Sequence, residues 1–111
     1  MKIDFLNQKD KAFFENSKQV VKMYGAESAK KLKTRLDDLD AAQSMEDMRQ
    51  LPGHWEELKR DRVGQFSARL HGGWRLIVKP QIDPPPTKPD GGLDWRAIDA
   101  IHIIEVMDYH D

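Results

Sequence analysis

Two strands joined by a tight turn are predicted by the stretch Phe66-Ser67-Ala68-Arg69-Leu70-His71-Gly72-Gly73-Trp74-Arg75-Leu76-Ile77-Val78-Lys79. A two-residue loop at Gly72 and Gly73 would pair Leu70 with Arg75 and so mix apolar and charged side chains on both faces. A three-residue loop at 71–73, with Gly73 in the left-handed position of a bulge, separates the two kinds of side chain. The second register is therefore predicted.

In this register the hairpin has one apolar face and one basic face. The apolar side chains are Phe66, Ala68, Leu70, Trp74, Leu76 and Val78. The opposite side chains are Ser67, Arg69, Arg75, Ile77 and Lys79. Because an apolar sheet face must be covered by another layer, we expect helices on the first face and the candidate functional site on the second.

Helical and strand patterns on both sides of the hairpin complete the predicted fold. Upstream, the patterns predict a short strand, two helices and a further helical turn, at residues 2–6, 13–24, 29–39 and 45–48. Around and after the hairpin they predict two more strands, at about 54–59 and 100–107, and a Pro/Gly-rich loop at 80–94. We therefore expect one domain, residues 1–111, with an α+β fold in which two N-terminal helices pack on one face of a small, mostly antiparallel sheet.

Composition narrows the classes of function. The chain has 111 residues, 39% hydrophobic and 33% charged, with no cysteine, which predicts a folded, soluble domain and excludes disulfides and thiolate metal sites. No apolar run approaches the roughly 20 residues of a membrane span, and the N-terminus lacks the pattern of a signal peptide, so we expect a cytoplasmic protein. Residues 51–79 carry six basic and three acidic side chains, whereas residues 80–111 carry two and seven. These counts allow a local phosphate-facing patch but not a uniformly basic nucleic-acid binder.

The closing segment Asp108-Tyr109-His110 places an acid, a phenol and an imidazole where the last apolar strand ends. Histidine has an ordinary pKa near 6.5 and can serve either proton role at neutral pH, while an arginine such as Arg75 can grip a phosphate bidentately. The alternative to a functional site is that this segment is a solvent-exposed tail. A metal site made by His102, Asp108 and His110 is a weaker alternative, because that spacing matches no known ligand pattern, and we expect no metal.

Three strings together resemble the HigB-type "killer" toxins of the RelE/ParE superfamily. They are Leu58-Lys59-Arg60-Asp61-Arg62-Val63-Gly64-Gln65-Phe66-Ser67, then Gly73-Trp74-Arg75-Leu76, then the closing Asp108-Tyr109-His110. Each string is weakly specific alone, but their order and the terminal position of the third make the set more specific. The helical N-terminal half and the small sheet also fit, so the resemblance covers nearly the whole chain.

The resemblance implies the toxin of a type II toxin–antitoxin system, a ribosome-dependent, metal-independent endoribonuclease that cuts mRNA. It implies a helix-turn-helix, HigA-like antitoxin as partner, operator DNA bound only through that antitoxin, and no cofactor. The catalytic residues that it implies are Lys59, Arg75, Asp108, Tyr109 and His110, with Glu56 at the position of a usual histidine. Arg62 of the first string and Arg69 on the basic face are predicted to bind RNA.

Two departures keep a second class of function open. Glu56 stands where the family places a catalytic histidine, with His54 two positions earlier, and Arg60 replaces the usual glycine. The alternative is therefore a catalytically inactive or gyrase-targeting relative that acts by binding a protein. The terminal Asp108-Tyr109-His110 favours the enzyme, because gyrase-targeting members generally lack that ending.

Overall fold

A computed structural model describes residues 1–108, which adopt the predicted α+β class. The helices are α1 (Lys9–Phe14), α2 (Ser17–Tyr24) and α3 (Ala26–Ala41). The strands are β1 (Lys2–Phe5), β2 (Glu56–Glu57), β3 (Phe66–Arg69), β4 (Trp74–Pro80) and β5 (Ala100–Asp108). Short 3₁₀ turns lie at Met45–Gln50, Arg60–Arg62 and Trp95–Ala97. Within residues 1–108, no helix combines the length and apolar character needed to cross a membrane.

The strands form one sheet in the order β1-β5-β4-β3-β2. β1 runs parallel to β5, and the three other neighbouring pairs are antiparallel. The prediction of a mostly antiparallel sheet is therefore confirmed. The first and last strands of the described chain are neighbours in this sheet, since Phe5 of β1 pairs with Ile103 of β5.

The hairpin of β3 and β4 has the predicted register. Phe66 pairs with Val78 and Ala68 with Leu76, and the amide of Leu70 donates to the carbonyl of Trp74 at 2.9 Å. The loop therefore has three residues. The left-handed residue is Gly72, with φ of 63°, so the prediction of Gly73 at that position was wrong.

The first predicted helix is divided in two. α1 ends at Phe14, and the side chain of Asn16 accepts a hydrogen bond from the amide of Gln19 at 3.2 Å, which caps a new helix. Asparagine at this position satisfies an amide that the helix itself leaves unpaired, so a cap inside the apolar pattern can restart the helix in a new direction. Gly25 ends α2 with φ of 89°, as predicted.

The core lies between the helices and one face of the sheet. Fully buried side chains from both layers meet there, among them Leu32, Leu39, Met45, Met48, Phe66, Leu76, Ile101 and Ile103. Trp95, which follows the 80–94 loop, packs edge-on against Phe66 and donates from Nε1 to Glu57 at 2.6 Å. In that loop an isolated bridge joins Thr87 to Leu93, which a Pro/Gly-rich stretch did not lead us to expect.

The strand predicted at 54–59 is reduced to Glu56–Glu57. His54 has a left-handed backbone, with φ of 50°, and Arg60 begins a 3₁₀ turn with φ of 60°. Left-handed conformations at residues other than glycine are uncommon and interrupt a strand, although histidine is enriched in them. Arg60 stands where the family resemblance places a glycine, the residue that adopts this conformation without strain.

Candidate functional site

The candidate site lies on the sheet face opposite α1–α3, called here the open face. The register places one row of side chains across that face, in the order Glu56, Ser67, Ile77 and Glu105. A neighbouring row towards the hairpin tip contains Arg69, Arg75 and Met107. Arg75 thus lies on the face that the helices leave uncovered, as the hairpin register requires.

One end of the open face is covered by residues 58–65, called here the covering turn. Arg62 reaches across from this turn, donating to Gln65 at 2.9 Å and to Glu105 at 3.2 Å. Glu105 is the register partner of Ile77, which is fully buried although it lies outside the main core. Arg62, predicted to bind RNA, is therefore engaged in an ion pair within the protein.

Arg75 lies at the uncovered end and is held by the backbone. Its Nη1 donates to the carbonyl oxygens of Gly72 at 2.9 Å and of Trp74 at 3.0 Å. Within residues 1–108, no carboxylate lies within ion-pair distance of its guanidinium. Two carbonyl acceptors fix one nitrogen without neutralising the charge, so the group retains donors for an anion.

Beside this row, His54 and Glu56 approach each other. His54 Nε2 lies 3.6 Å from Glu56 Oε2, and their side chains are 60% and 43% exposed. The amide of Arg69 donates to the carbonyl of Gly53 at 2.7 Å, which fixes this segment against β3. The uncovered end therefore combines an accessible imidazole and carboxylate with two arginines in the adjoining row. Histidine is only a weak signal of a left-handed backbone, so the pair was not predicted from the sequence.

The other predicted site residues are distributed differently. Lys59 is exposed and precedes the 3₁₀ turn at the covered end. Its neighbour Leu58 pairs with Gln65, four residues along β3 from Arg69, which corresponds to about 13 Å of strand. Asp108 is exposed and pairs with Trp74, so β5 runs one residue beyond the predicted end of its pairing. Tyr109 and His110 lie outside the described residues.

Within residues 1–108, no group of three or more His, Asp or Glu side chains is placed to hold a metal ion. The groups at the uncovered end of the open face are fixed cations, the imidazole–carboxylate pair of His54 and Glu56, and backbone groups. Such groups can bind a phosphate and transfer protons beside it.

One comparison with known proteins identifies the chain. Residues 3–82 match the sequence model of the HigB-like toxins, described as RelE-like toxins of the type II toxin–antitoxin system HigB. The match spans well over half of the chain and includes the hairpin, Arg75, His54 and Glu56. No curated protein gives a significant match.

Proposed function

The chain belongs to the family of HigB-like toxins, the RelE-like toxins of type II toxin–antitoxin systems, and from this premise we propose that it is a ribosome-dependent, metal-independent endoribonuclease that cuts mRNA. One observation carries the proposal. Arg75 and Arg69 share the uncovered end of the open face with the accessible pair of His54 and Glu56. Glu56 lies on β2, two strands from Arg75, with Arg69 of β3 between them, so the cations and the proton acceptor occupy one stretch of the open face.

The reaction that suits these groups uses the ribose 2′-OH as nucleophile. A base removes the 2′ proton, the oxygen attacks the adjacent phosphorus, and an acid protonates the departing 5′ oxygen. The products are a 2′,3′-cyclic phosphate and a free 5′-OH. Cations near the equatorial oxygens stabilise the charge that develops in the transition state, without a metal ion.

Each site residue at the uncovered end of the open face has a role in this scheme. Arg75 binds the equatorial oxygens, and Arg69 contributes a second cation to the RNA backbone. Glu56 takes the 2′ proton, with His54 beside it to stabilise the negative carboxylate when the imidazole is protonated. His110 is proposed as the acid that protonates the leaving oxygen, with Asp108 and Tyr109 supporting the substrate; these three roles, and a further cationic role for Lys59, come from the family resemblance.

A second candidate function is a relative that acts by binding a protein, either inactive towards RNA or directed at DNA gyrase. The observation that favours it is Glu56 in place of the histidine that the family resemblance implies. Arg62 also favours it, because an arginine paired with Glu105 is not available to RNA.

Mapping mRNA 5′ ends after induction of the protein in cells separates the two candidates. We expect new 5′ ends at positions linked to codons, because a ribosome-dependent nuclease cuts in the reading frame. Intact mRNA with an SOS response would indicate gyrase as the target, and intact mRNA without that response would indicate a protein binder. The catalytically impaired variant Arg75→Ala provides the control for cuts made by host nucleases.

A toxin of a type II system has an antitoxin as partner. We propose that this antitoxin is a helix-turn-helix, HigA-like protein and that operator DNA is bound only through it. The same proposal places the protein in the cytoplasm, with the ribosome and mRNA as its other partners.

A further inference from the structure

A separate concavity lies at the opposite end of the open face from Arg75. It has a volume of about 270 Å³ and is called here the far pocket. Its floor is formed by Lys79 and His102, which are register partners on β4 and β5. Its walls come from the covering turn, the end of β1 and the first part of the 80–94 loop. Three segments distant in sequence therefore enclose one site on the face that carries Arg75.

The rim of the far pocket is unusually apolar for an exposed surface. Leu6, Val63 and Ile82 each contribute to it, and they are 49%, 73% and 57% exposed. One exposed aliphatic side chain needs no explanation, but three that converge from separate segments on one pocket indicate a contact with a ligand. A flat, apolar ligand surface fits between them better than a charged group.

The floor and wall add polar groups. Lys79 supplies an ammonium group, and within residues 1–108 it forms no ion pair. The Nδ1 atom of His102 is buried without a hydrogen-bond partner in the described part of the chain. Asp83 adds a carboxylate to the wall. A ligand that suits this set has an anion for Lys79, a flat apolar face for the rim and a hydrogen-bond donor for Asp83.

We propose that the far pocket binds one nucleotide of the RNA substrate, a proposal that rests on the function proposed above. The base lies among Leu6, Val63 and Ile82, its amino edge faces Asp83, and its phosphate is bound by Lys79. Lys79 is four residues from Arg75 along β4, which corresponds to about 13 Å of strand. The buried Ile77 and the ion pair of Arg62 with Glu105 lie between these two residues, so a single strand of RNA that reaches both ends passes over this ion pair. Unstacked bases held by side chains are the usual means of recognising single-stranded RNA.

Photocrosslinking tests the pocket directly. The purified chain is irradiated with a short RNA that carries 6-thioguanosine, a photoreactive base that keeps its amino group, and 2′-O-methyl riboses, which cannot be cut. The crosslinked peptides are identified by mass spectrometry. We expect crosslinks to residues 63–65 and 79–85. Val63→Ser and Lys79→Gln should each weaken RNA binding about 5- to 10-fold, as expected for losing a base contact or a phosphate contact.

Matched controls lie on the helical side of the molecule. Val21 is 41% exposed and Lys22 is exposed, both on α2, so Val21→Ser and Lys22→Gln make the same chemical changes away from the open face. These variants should bind RNA as the parent does. Crosslinks confined to other residues, or equal affinity for all four variants, would overturn the proposal. So would a loss of antitoxin binding, with RNA affinity unchanged, in the pocket variants.

The same variants distinguish failure of the pocket from failure of the proposed function. In cells, both variants should still cut mRNA. Val63→Ser loses a base contact and should change the sequence preference around the cut sites, whereas Lys79→Gln loses a phosphate contact and should lower cutting at all sites alike. If both variants cut mRNA at the rate and with the sequence preference of the parent, the proposal for the far pocket is overturned and the proposed nuclease activity is not. If the parent makes no cuts but crosslinks to RNA through the far pocket, the proposed nuclease activity is wrong and the proposed RNA-binding site is supported.

Discussion

Three arginines show how one residue type takes three roles. Arg35 of α3 is buried and donates from Nε to the carbonyl of Arg69 at 3.1 Å, so it joins helix to sheet. Arg62 closes the covering turn through Glu105. Arg75 is half-buried and held only by backbone carbonyls among the described residues, so its charge faces the open surface. The sequence predicted a functional role for Arg62, Arg69 and Arg75 alike. Only tertiary contacts distinguish the structural role of Arg62 from the roles of the other two.

Replacing Arg75 should separate catalysis from folding. We expect Arg75→Ala to lose growth inhibition, because loss of a cation that stabilises the transition state typically costs about 100-fold or more in rate. The unfolding temperature should change little, since the side chain lies outside the core. Growth curves and thermal unfolding measure the two effects. Arg96→Ala, at an exposed position in a 3₁₀ turn, is the matched control and should remain toxic.

Glu56 offers a contrast between carboxylate, amide and imidazole. Glu56→Gln should abolish mRNA cleavage, because an amide cannot accept a proton near neutral pH, and Glu56→His should retain or raise it. Mapping of mRNA 5′ ends measures both variants, with Glu27→Gln on α3 as an exposed control. Full cleavage by Glu56→Gln would transfer the role of base to His54, 3.6 Å away, to His110 or to the ribosome.

At the scale of the elements, sequence predicted what alternation and helical spacing control. The register of β3 and β4 followed from sorting apolar from charged side chains, and the position of the helices followed from their apolar stripes. It did not predict the left-handed residues His54 and Gly72 or the shortness of β2, because each depends on local backbone geometry more than on side-chain pattern. The cap at Asn16 was missed because the apolar helical pattern continues across it. The prediction of the candidate site was affected most, because the pair of His54 and Glu56 depends on the left-handed backbone of His54.

Gly53 links the helical layer to this part of the sheet, and its replacement tests that link. Its φ is 121°, and an added Cβ would lie 2.7 Å from Nε of Arg35. Gly53→Ala should therefore lose stability from backbone strain, about 1 kcal/mol, and from displacing a buried guanidinium, about 1–3 kcal/mol more. Gly64→Ala has the same kind of strain, with φ of 91° and open space around the new Cβ. Urea unfolding should show a clearly larger loss for Gly53→Ala, and equal losses would contradict the proposed link.

At the scale of the whole molecule, the sheet separates two surfaces. The open face carries Arg69 and Arg75, and the helical side carries a groove of about 470 Å³ between α2 and α3. The groove is lined by apolar side chains that include Val20, Ala29 and Leu36, with Lys30 and Lys33 at its edge. An antitoxin that uses this groove would bind away from the open face or only partly over it. It would then silence the toxin by keeping it from the ribosome rather than by filling the site.

The final prediction concerns DNA. If the antitoxin supplies the helix-turn-helix, the purified toxin–antitoxin complex should bind operator DNA and the isolated chain should not. The charge of the chain supports this expectation, since its 18 basic and 19 acidic side chains give a net charge of −1, and non-specific DNA binding depends on excess positive charge. Electrophoretic mobility shift with the operator and with an unrelated duplex measures both species. Val21→Ser, in the groove, should weaken assembly of the complex while leaving mRNA cleavage by the free toxin unchanged. Operator binding by the chain alone would show that DNA recognition belongs to the toxin and would remove the reason for assigning it to the partner.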